Sequence, residues 1–204
     1  MPDFALDAER SRPAKLALRS RLLAARASLT ASDRQWAAAS LQATILDLVR
    51  REHPATIAAY VPVSTEPGGA DLPAVLAPHA RVLLPVLLHD GDLDWAAFDG
   101  RLLAGPRGLR QPAGPALGVD AVRSAGVVVV PALAVDRTGL RLGRGGGSYD
   151  RVLARLAPGT MTVALLHDGE LVESVPAEAH DRPVRAAITP SGGLALSRRP
   201  EWTN

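Results

Sequence analysis

Residues 141–150 read Arg141-Leu142-Gly143-Arg144-Gly145-Gly146-Gly147-Ser148-Tyr149-Asp150. Glycines at 143, 145, 146 and 147 strip the Cβ atoms from a short run of backbone, so that amide N–H groups can converge on one anion. A helix expected from Tyr149 would turn its partially positive N-terminus the same way. Arg141 and Arg144 add full charges, and their planar guanidinium groups can grip phosphate oxygens in pairs. Asp150 is the odd member, because a carboxylate repels a bare phosphate. It fits if it holds Mg²⁺, which favours carboxylate and phosphate oxygens together. The segment therefore reads as a cradle for a nucleotide phosphate. On these residues alone, a flexible glycine-rich loop remains the competing reading.

Two familiar phosphate loops fit poorly. A Walker A loop requires a lysine after its last glycine, and none is present. The dinucleotide fingerprint fails at Ser148, and the nearest strand ends at Pro131, too far upstream, although Asp168 lies near the distance of a ribose-binding acid. The chain has no cysteine, which removes disulfides, thiolate metal sites and a thiol nucleophile. A net charge of +2 with scattered arginines and 3% aromatics is not the pattern of a nucleic-acid binder. The N-terminus has no apolar leader and no stretch is long enough to span a bilayer, so a cytoplasmic, monomeric protein without nucleic-acid or membrane partners is expected.

The elements that must position the loop follow from periodicity. Residues 1–12 read as a disordered lead-in. A helix is expected over 15–29, with Leu18, Leu22, Ala25 and Leu29 on one face and Lys15, Arg19 and Arg26 on another. Thr30 or Ser32 caps a second helix that His53-Pro54 ends. Strands are expected at 56–60, 81–87, 93–98, 127–131, 161–166 and 186–189, with one or two helical turns at 72–76. Val127-Val128-Val129-Val130-Pro131 has the unbroken β-branched run of a strand buried on both faces. Residues 100–120 read as an irregular excursion, 135–140 as loop or a short extension, and 191–204 as a flexible tail. The alternation predicts one α/β domain over 13–190, a three-layer, Rossmann-like α/β/α fold with a mostly parallel sheet. Ligands in such folds gather at the carboxyl ends of strands, which points to the loops after Tyr60, Pro131 and Leu166.

The stretch Pro131-Ala-Leu-Ala-Val-Asp136-Arg-Thr-Gly-Leu-Arg141-Leu-Gly-Arg144-Gly-Gly-Gly-Ser-Tyr-Asp150-Arg resembles the signature of the 5-formyltetrahydrofolate cyclo-ligases, P-G-L-A-F-D-x-x-G-x-R-L-G-x-G-x-G-Y-Y-D-R. Further matches follow in the family's order. Lys15-Leu-Ala-Leu-Arg19 is similar to its N-terminal nucleotide-contacting K-x-x-L-R. Tyr60-Val61-Pro-Val-Ser-Thr-Glu66 is similar to its substrate-binding strand and loop, and Pro85-Val and Leu93-Asp-Trp95 fit its middle. Val175-Pro176-Ala-Glu-Ala-His180-Asp181 is similar to the late P-x-x-x-H-D, whose Asp helps hold magnesium. The resemblance spans residues 13–190. This chain departs from it in having Ala132 for a glycine, Ser148 for the first tyrosine of the pair, and Glu170 where a Gln is common.

The resemblance implies ATP- and Mg²⁺-dependent ring closure. The formyl oxygen on N5 attacks the γ-phosphate, and N10 then displaces phosphate to give 5,10-methenyltetrahydrofolate and ADP. It implies that Lys15, Arg19 and the 141–149 loop hold ATP, that Arg144 and Lys15 serve the transfer, and that Asp150 and Asp181 hold Mg²⁺. Val61, Glu66, Trp95 and Arg144 would meet the folate, the small-molecule substrate. Each has a plainer reading: Lys15 and Arg19 as a solvated helix face, Glu66 as a turn acid, Trp95 as core, His180 as structural. The rival functions are a family member that binds without turnover, an NAD-dependent oxidoreductase, and a scaffold module.

Overall fold

The computed structural model describes residues 4–178 and 181–197, with side chains from residue 11 onward. Two long helices, α1 (Phe4–Ser28) and α2 (Ala31–Glu52), lead into β1 (Thr56–Ala58) and the short α3 (Leu72–Leu76). There follow β2 (Arg81–Leu87), β3 (Leu93–Ala97), β4 (Leu102–Ala104), β5 (Arg110–Pro112), β6 (Val127–Pro131), β7 (Ala134–Asp136) and β8 (Arg141–Leu142). The chain ends through α4 (Ser148–Arg155), β9 (Met161–Leu165), β10 (Leu171–Val172), β11 (Ala186–Thr189) and β12 (Gly193–Leu196).

Seven strands form the main sheet in the order β12-β11-β9-β6-β1-β2-β3. The five central strands pair in parallel, and only the edge strands β3 and β12 run antiparallel. The valine run is the centre of this sheet. Val127 and Val129 pack into the core under α2 and α3, and Val128 and Val130 into the core under α4, all of them buried. Alternate side chains thus fill both faces, as the uninterrupted β-branched pattern requires. Each fully buried aliphatic side chain of this size contributes about 1.5–3 kcal/mol. The layers are those of the expected three-layer α/β fold.

Helix α2 is specified at both ends. Thr30 accepts the Asp33 N–H, Asp33 accepts the Thr30 N–H, and His53 closes the helix in a left-handed conformation. Its buried residues Ala37, Leu41, Ile45, Leu48 and Val49 form one stripe facing the sheet.

Four expectations need correction. Residues 1–12 are not a disordered lead throughout: α1 starts at Phe4 and contains Pro13, because Ala, Leu, Glu and Arg around it are strong helix formers. The excursion at 100–120 contains a β4–β5 hairpin, and residues 134–136 are a strand of a second, three-stranded sheet in the order β10-β7-β8. The tail does not fray at Ser191. Thr189 accepts the Gly192 N–H, Gly193 takes φ 65°, and the chain returns as β12 along β11. Residues 198–204 of the expected tail lie outside the described residues. Among the described residues, no helix is long and apolar enough to cross a membrane.

Candidate active site

A cleft of about 370 Å³ opens at the carboxyl ends of β1, β2 and β6, within the size range of small-molecule sites. Residues 141–150 supply one wall. The loop is held tightly at its base. A Cβ on Gly143 would come within 2.7 Å of the Arg141 guanidinium, and Gly147 takes φ 68° as it starts α4. No side chain caps α4, and its first residues, Ser148, Tyr149 and Asp150, line the cleft. Leu142 is buried against α1 and contributes backbone rather than a side-chain contact to the loop.

The arginines of the loop are less free than their spacing implies. Arg141 is buried, and its Nη2 donates to Asp150 Oδ1 at 2.9 Å while Nη1 donates to the Pro131 carbonyl. Its guanidinium also lies 6.0 Å from the Tyr149 ring centroid. Arg144 is half exposed, and its Nε stands 3.2 Å from Glu66 Oε1. The Ser148 hydroxyl donates to the Gly91 carbonyl in the turn between β2 and β3. Arg151 donates to the same carbonyl, and Arg155 pairs with Asp92 beside it. The Arg155 hydrogen bond holds the Asp92 carboxyl below the usual aspartate range.

The opposite wall comes from α1, whose buried side chains Ser11, Lys15, Leu22 and Arg26 form one stripe. Leu22 anchors it on Leu133, Ala134, Leu142 and Val175. Ala25, expected on the apolar face, is exposed, and Lys15 and Arg26, expected on another face, are buried. Carboxylates from distant parts of the chain make that burial possible. Lys15 Nζ donates to Glu178 Oε2 at 2.9 Å and to Asp181 Oδ2 at 2.7 Å. Arg26 engages both oxygens of Glu170, at 2.6 and 2.8 Å. Arg19 Nε donates to the Gly143 carbonyl at 2.9 Å and meets no carboxylate among the described residues. Its remaining donors and its charge stay open to an anion beside Gly145.

Glu66 and Val61 complete the cleft from the loop after β1. A tight turn fixes Glu66: its carboxylate accepts the Val63 N–H at 3.1 Å, and its own N–H donates to the Val63 carbonyl. Tyr60 is buried beneath it and donates its hydroxyl to the Pro67 carbonyl. The Tyr149 hydroxyl is buried with no hydrogen-bond partner among the described residues. Burial first, then the Glu66 charge, push it well above the usual tyrosine range, so it stays a proton donor.

Trp95 does not belong to this site. It is fully buried among Leu83, Leu93, Val122 and Val128, whereas Leu93, two residues earlier on the same strand face, and Pro85, its partner across the strand pair, line the cleft. A Leu-Asp-Trp string does not tell which of two side chains on one face reaches the cleft. Lys15, Arg19, Val61, Glu66, residues 141–150 and Asp181 do converge on one cleft. His180 lies outside the described residues. The sequence reading missed Arg26, Glu178, and the hairpin residues Leu109, Arg110 and Gln111, which also line the cleft. A buried arginine on a helix whose charges from Arg10 onward are all basic leaves no periodic trace. The Gly- and Pro-rich composition of 100–120 hid the hairpin.

Cations outnumber carboxylates in the cleft, with Lys15, Arg19, Arg26, Arg110, Arg141 and Arg144 against Glu66, Asp150, Glu178 and Asp181. Such a site suits a polyanion. Among the described residues, no group of three or more His, Asp or Glu side chains forms a metal cage. Mg²⁺ does not need one: with a phosphate ligand it takes one or two carboxylates and keeps its waters. Asp150 and Asp181, which both line the cleft, fit that donor set.

Comparison with known proteins places this geometry. Residues 11–190 match the model of the 5-formyltetrahydrofolate cyclo-ligase family. A 5-formyltetrahydrofolate cyclo-ligase of Mycolicibacterium smegmatis is 40% identical over 191 residues, covering 90% of this chain and 97% of the relative. The Escherichia coli enzyme of that name is 46% identical over 66 residues, covering 32% of this chain and 36% of its own. In fold, the chain is similar to the solved Aquifex aeolicus 5,10-methenyltetrahydrofolate synthetase, with a TM-score of 0.78 at 23% identity over 93% of this chain and 96% of that one.

Proposed function

The chain belongs to the 5-formyltetrahydrofolate cyclo-ligase family, and from that premise we propose that its cleft closes 5-formyltetrahydrofolate to 5,10-methenyltetrahydrofolate at the expense of ATP, releasing ADP and phosphate. The observation that carries this reading is the Arg144–Glu66 pair at 3.2 Å, because it brings the phosphate wall into contact with the pterin wall. A reaction in which a folate oxygen attacks a phosphate needs that adjacency.

The geometry supports a role for each residue. Arg19, the loop amides and the start of α4 hold the phosphates. Glu66, fixed by its turn, accepts hydrogen bonds from the pterin. Arg144 is half exposed and leaves Glu66 for the γ-phosphate when substrate arrives. It then neutralises charge as the formyl oxygen attacks, a step that depends on positioning more than on covalent chemistry. Lys15, buried between Glu178 and Asp181, adds a fixed charge on the nucleotide side. Asp150 and Asp181 are the residues that would hold Mg²⁺, which when bound would screen the phosphate charge. Attack of N10 then expels phosphate and closes the ring.

Purified protein with ATP, Mg²⁺ and 5-formyltetrahydrofolate is expected to generate the near-ultraviolet absorbance of the methenyl product. Folate and nucleotide binding without that absorbance would instead identify a non-catalytic family member. Stabilisation by NAD but not by ATP would refute the reading altogether.

A further inference from the structure

Three side chains outside the roles above join the walls of the cleft from behind. Arg26 is fully buried on α1, 7 residues after Arg19 on the same helix. Its Nη2 donates to the Ala132 carbonyl, just past the end of β6, at 2.6 Å. Both its nitrogens Nε and Nη2 engage Glu170. Glu170 in turn accepts the His167 N–H at 2.7 Å, closing the turn after β9. The His167 ring then reaches the Thr65 carbonyl, Nε2 to O at 3.1 Å, in the residue just before Glu66. A carbonyl only accepts, so Nε2 carries the proton in this contact.

We infer that Arg26, Glu170 and His167 are positioning residues that set the two substrate-binding walls against each other. Arg26 and Glu170 fix α1, and with it Lys15 and Arg19, against the end of β6. His167 holds the loop that presents Glu66. Neither Glu170 nor His167 lines the cleft, so both act only through other groups. Plain core packing would not need this arrangement. An aliphatic cluster can fill such space without the desolvation cost of two buried charges, whereas a bidentate pair fixes direction as well as distance. The inference rests on the cyclo-ligase reading only for the identity of the two ligands.

The test separates the two walls by ligand. Affinities of the full-length protein for a non-hydrolysable ATP analogue and for 5-formyltetrahydrofolate are measured by calorimetry, with turnover recorded alongside. His167→Ala is expected to weaken folate binding about tenfold while leaving nucleotide binding unchanged, the size of effect expected for misplaced contacts. His167→Gln, which keeps a side-chain N–H donor, is expected to restore most of it. A paired Arg26→Met, Glu170→Met variant keeps the volume and removes both charges together. It is expected to weaken nucleotide binding about tenfold as well. Folded variants that lose melting temperature but keep both affinities would overturn the inference, as would equal loss of both ligands in His167→Ala. If the paired variant fails to fold, the His167 pair of variants still decides. An unmodified protein that binds both ligands but does not turn over would fail the cyclo-ligase reading and leave this one standing. One that binds neither would end both.

Discussion

The two walls of the cleft are built in opposite ways. The glycine-loop wall is local: Arg141, Gly143, Arg144 and Asp150 fall within ten residues, and its chief internal pair, Arg141–Asp150, spans nine positions. The α1 wall is assembled from the ends of the chain. Lys15 meets partners 163 and 166 positions away, and Arg19 reaches a carbonyl 124 positions away. A local wall can be recognised from its own string of residues. A remote wall consists of ordinary-looking residues whose meaning lies in their partners. Charge use differs in step: on the local wall Arg144 is half exposed and able to move, whereas on the remote wall Lys15 is buried and fixed.

If the remote wall matters as much to the chemistry as the local one, its loss should be the more damaging. Lys15→Ala is expected to lower kcat/KM about 10³-fold, the upper end for removing one preorganised charge. A loss under tenfold in steady-state assays would make α1 a scaffold and break the comparison. Arg144→Ala is expected to cost about 10²-fold in turnover. Because Arg144 is half exposed and its pair with Glu66 is open to solvent on that side, the pair is worth about 1 kcal/mol and the melting temperature should change little. A large drop in stability with normal turnover would reverse the assignment. Asp150→Asn keeps an acceptor for Arg141 but loses a charge. It should shift the Mg²⁺ activation curve to about tenfold higher concentration, the scale of a weakened metal contact; an unmoved curve would leave Asp150 as Arg141's counter-ion only. Ser148→Ala is expected to be smallest, costing about 1 kcal/mol of stability from the lost Gly91 hydrogen bond. Turnover should stay within about twofold, since one such contact behind the loop carries little of the barrier. A larger loss of turnover would return the Ser148 hydroxyl to the nucleotide.

The same division explains what could be read in advance. The bounds of β2, β6, α3 and β11 coincide with the patterns that predict them, because runs of buried strand residues and a proline in the first turn of a helix write themselves into adjacent residues. The burial of Lys15 and Arg26 could not be read that way. Helical periodicity assigns charged residues to water, and the carboxylates that reverse the assignment lie 144 to 166 positions downstream. Trp95 was misplaced for a related reason: alternation puts it on the same strand face as Leu93, which lines the cleft, and only the assembled layers show that its ring is sealed in the core. For Lys15, Arg19 and Asp181, family resemblance supplied what periodicity could not. For Arg26 and Glu178 neither did.

The Lys15 pairing with Glu178 and Asp181 also bears on how the protein is made. Synthesis proceeds from the N-terminus, so α1 leaves the ribosome long before the acids that neutralise its inward charge exist. Contacts of such sequence separation slow folding, since a large loop must close before they form. The sheet can begin to assemble around the valine strand while the nascent chain is still growing, but the remote wall must wait for Glu178 and Asp181. Ligand-binding competence is thus a late product of biogenesis, because chains truncated before residue 178 lack both acids that neutralise Lys15 as well as strands β11 and β12.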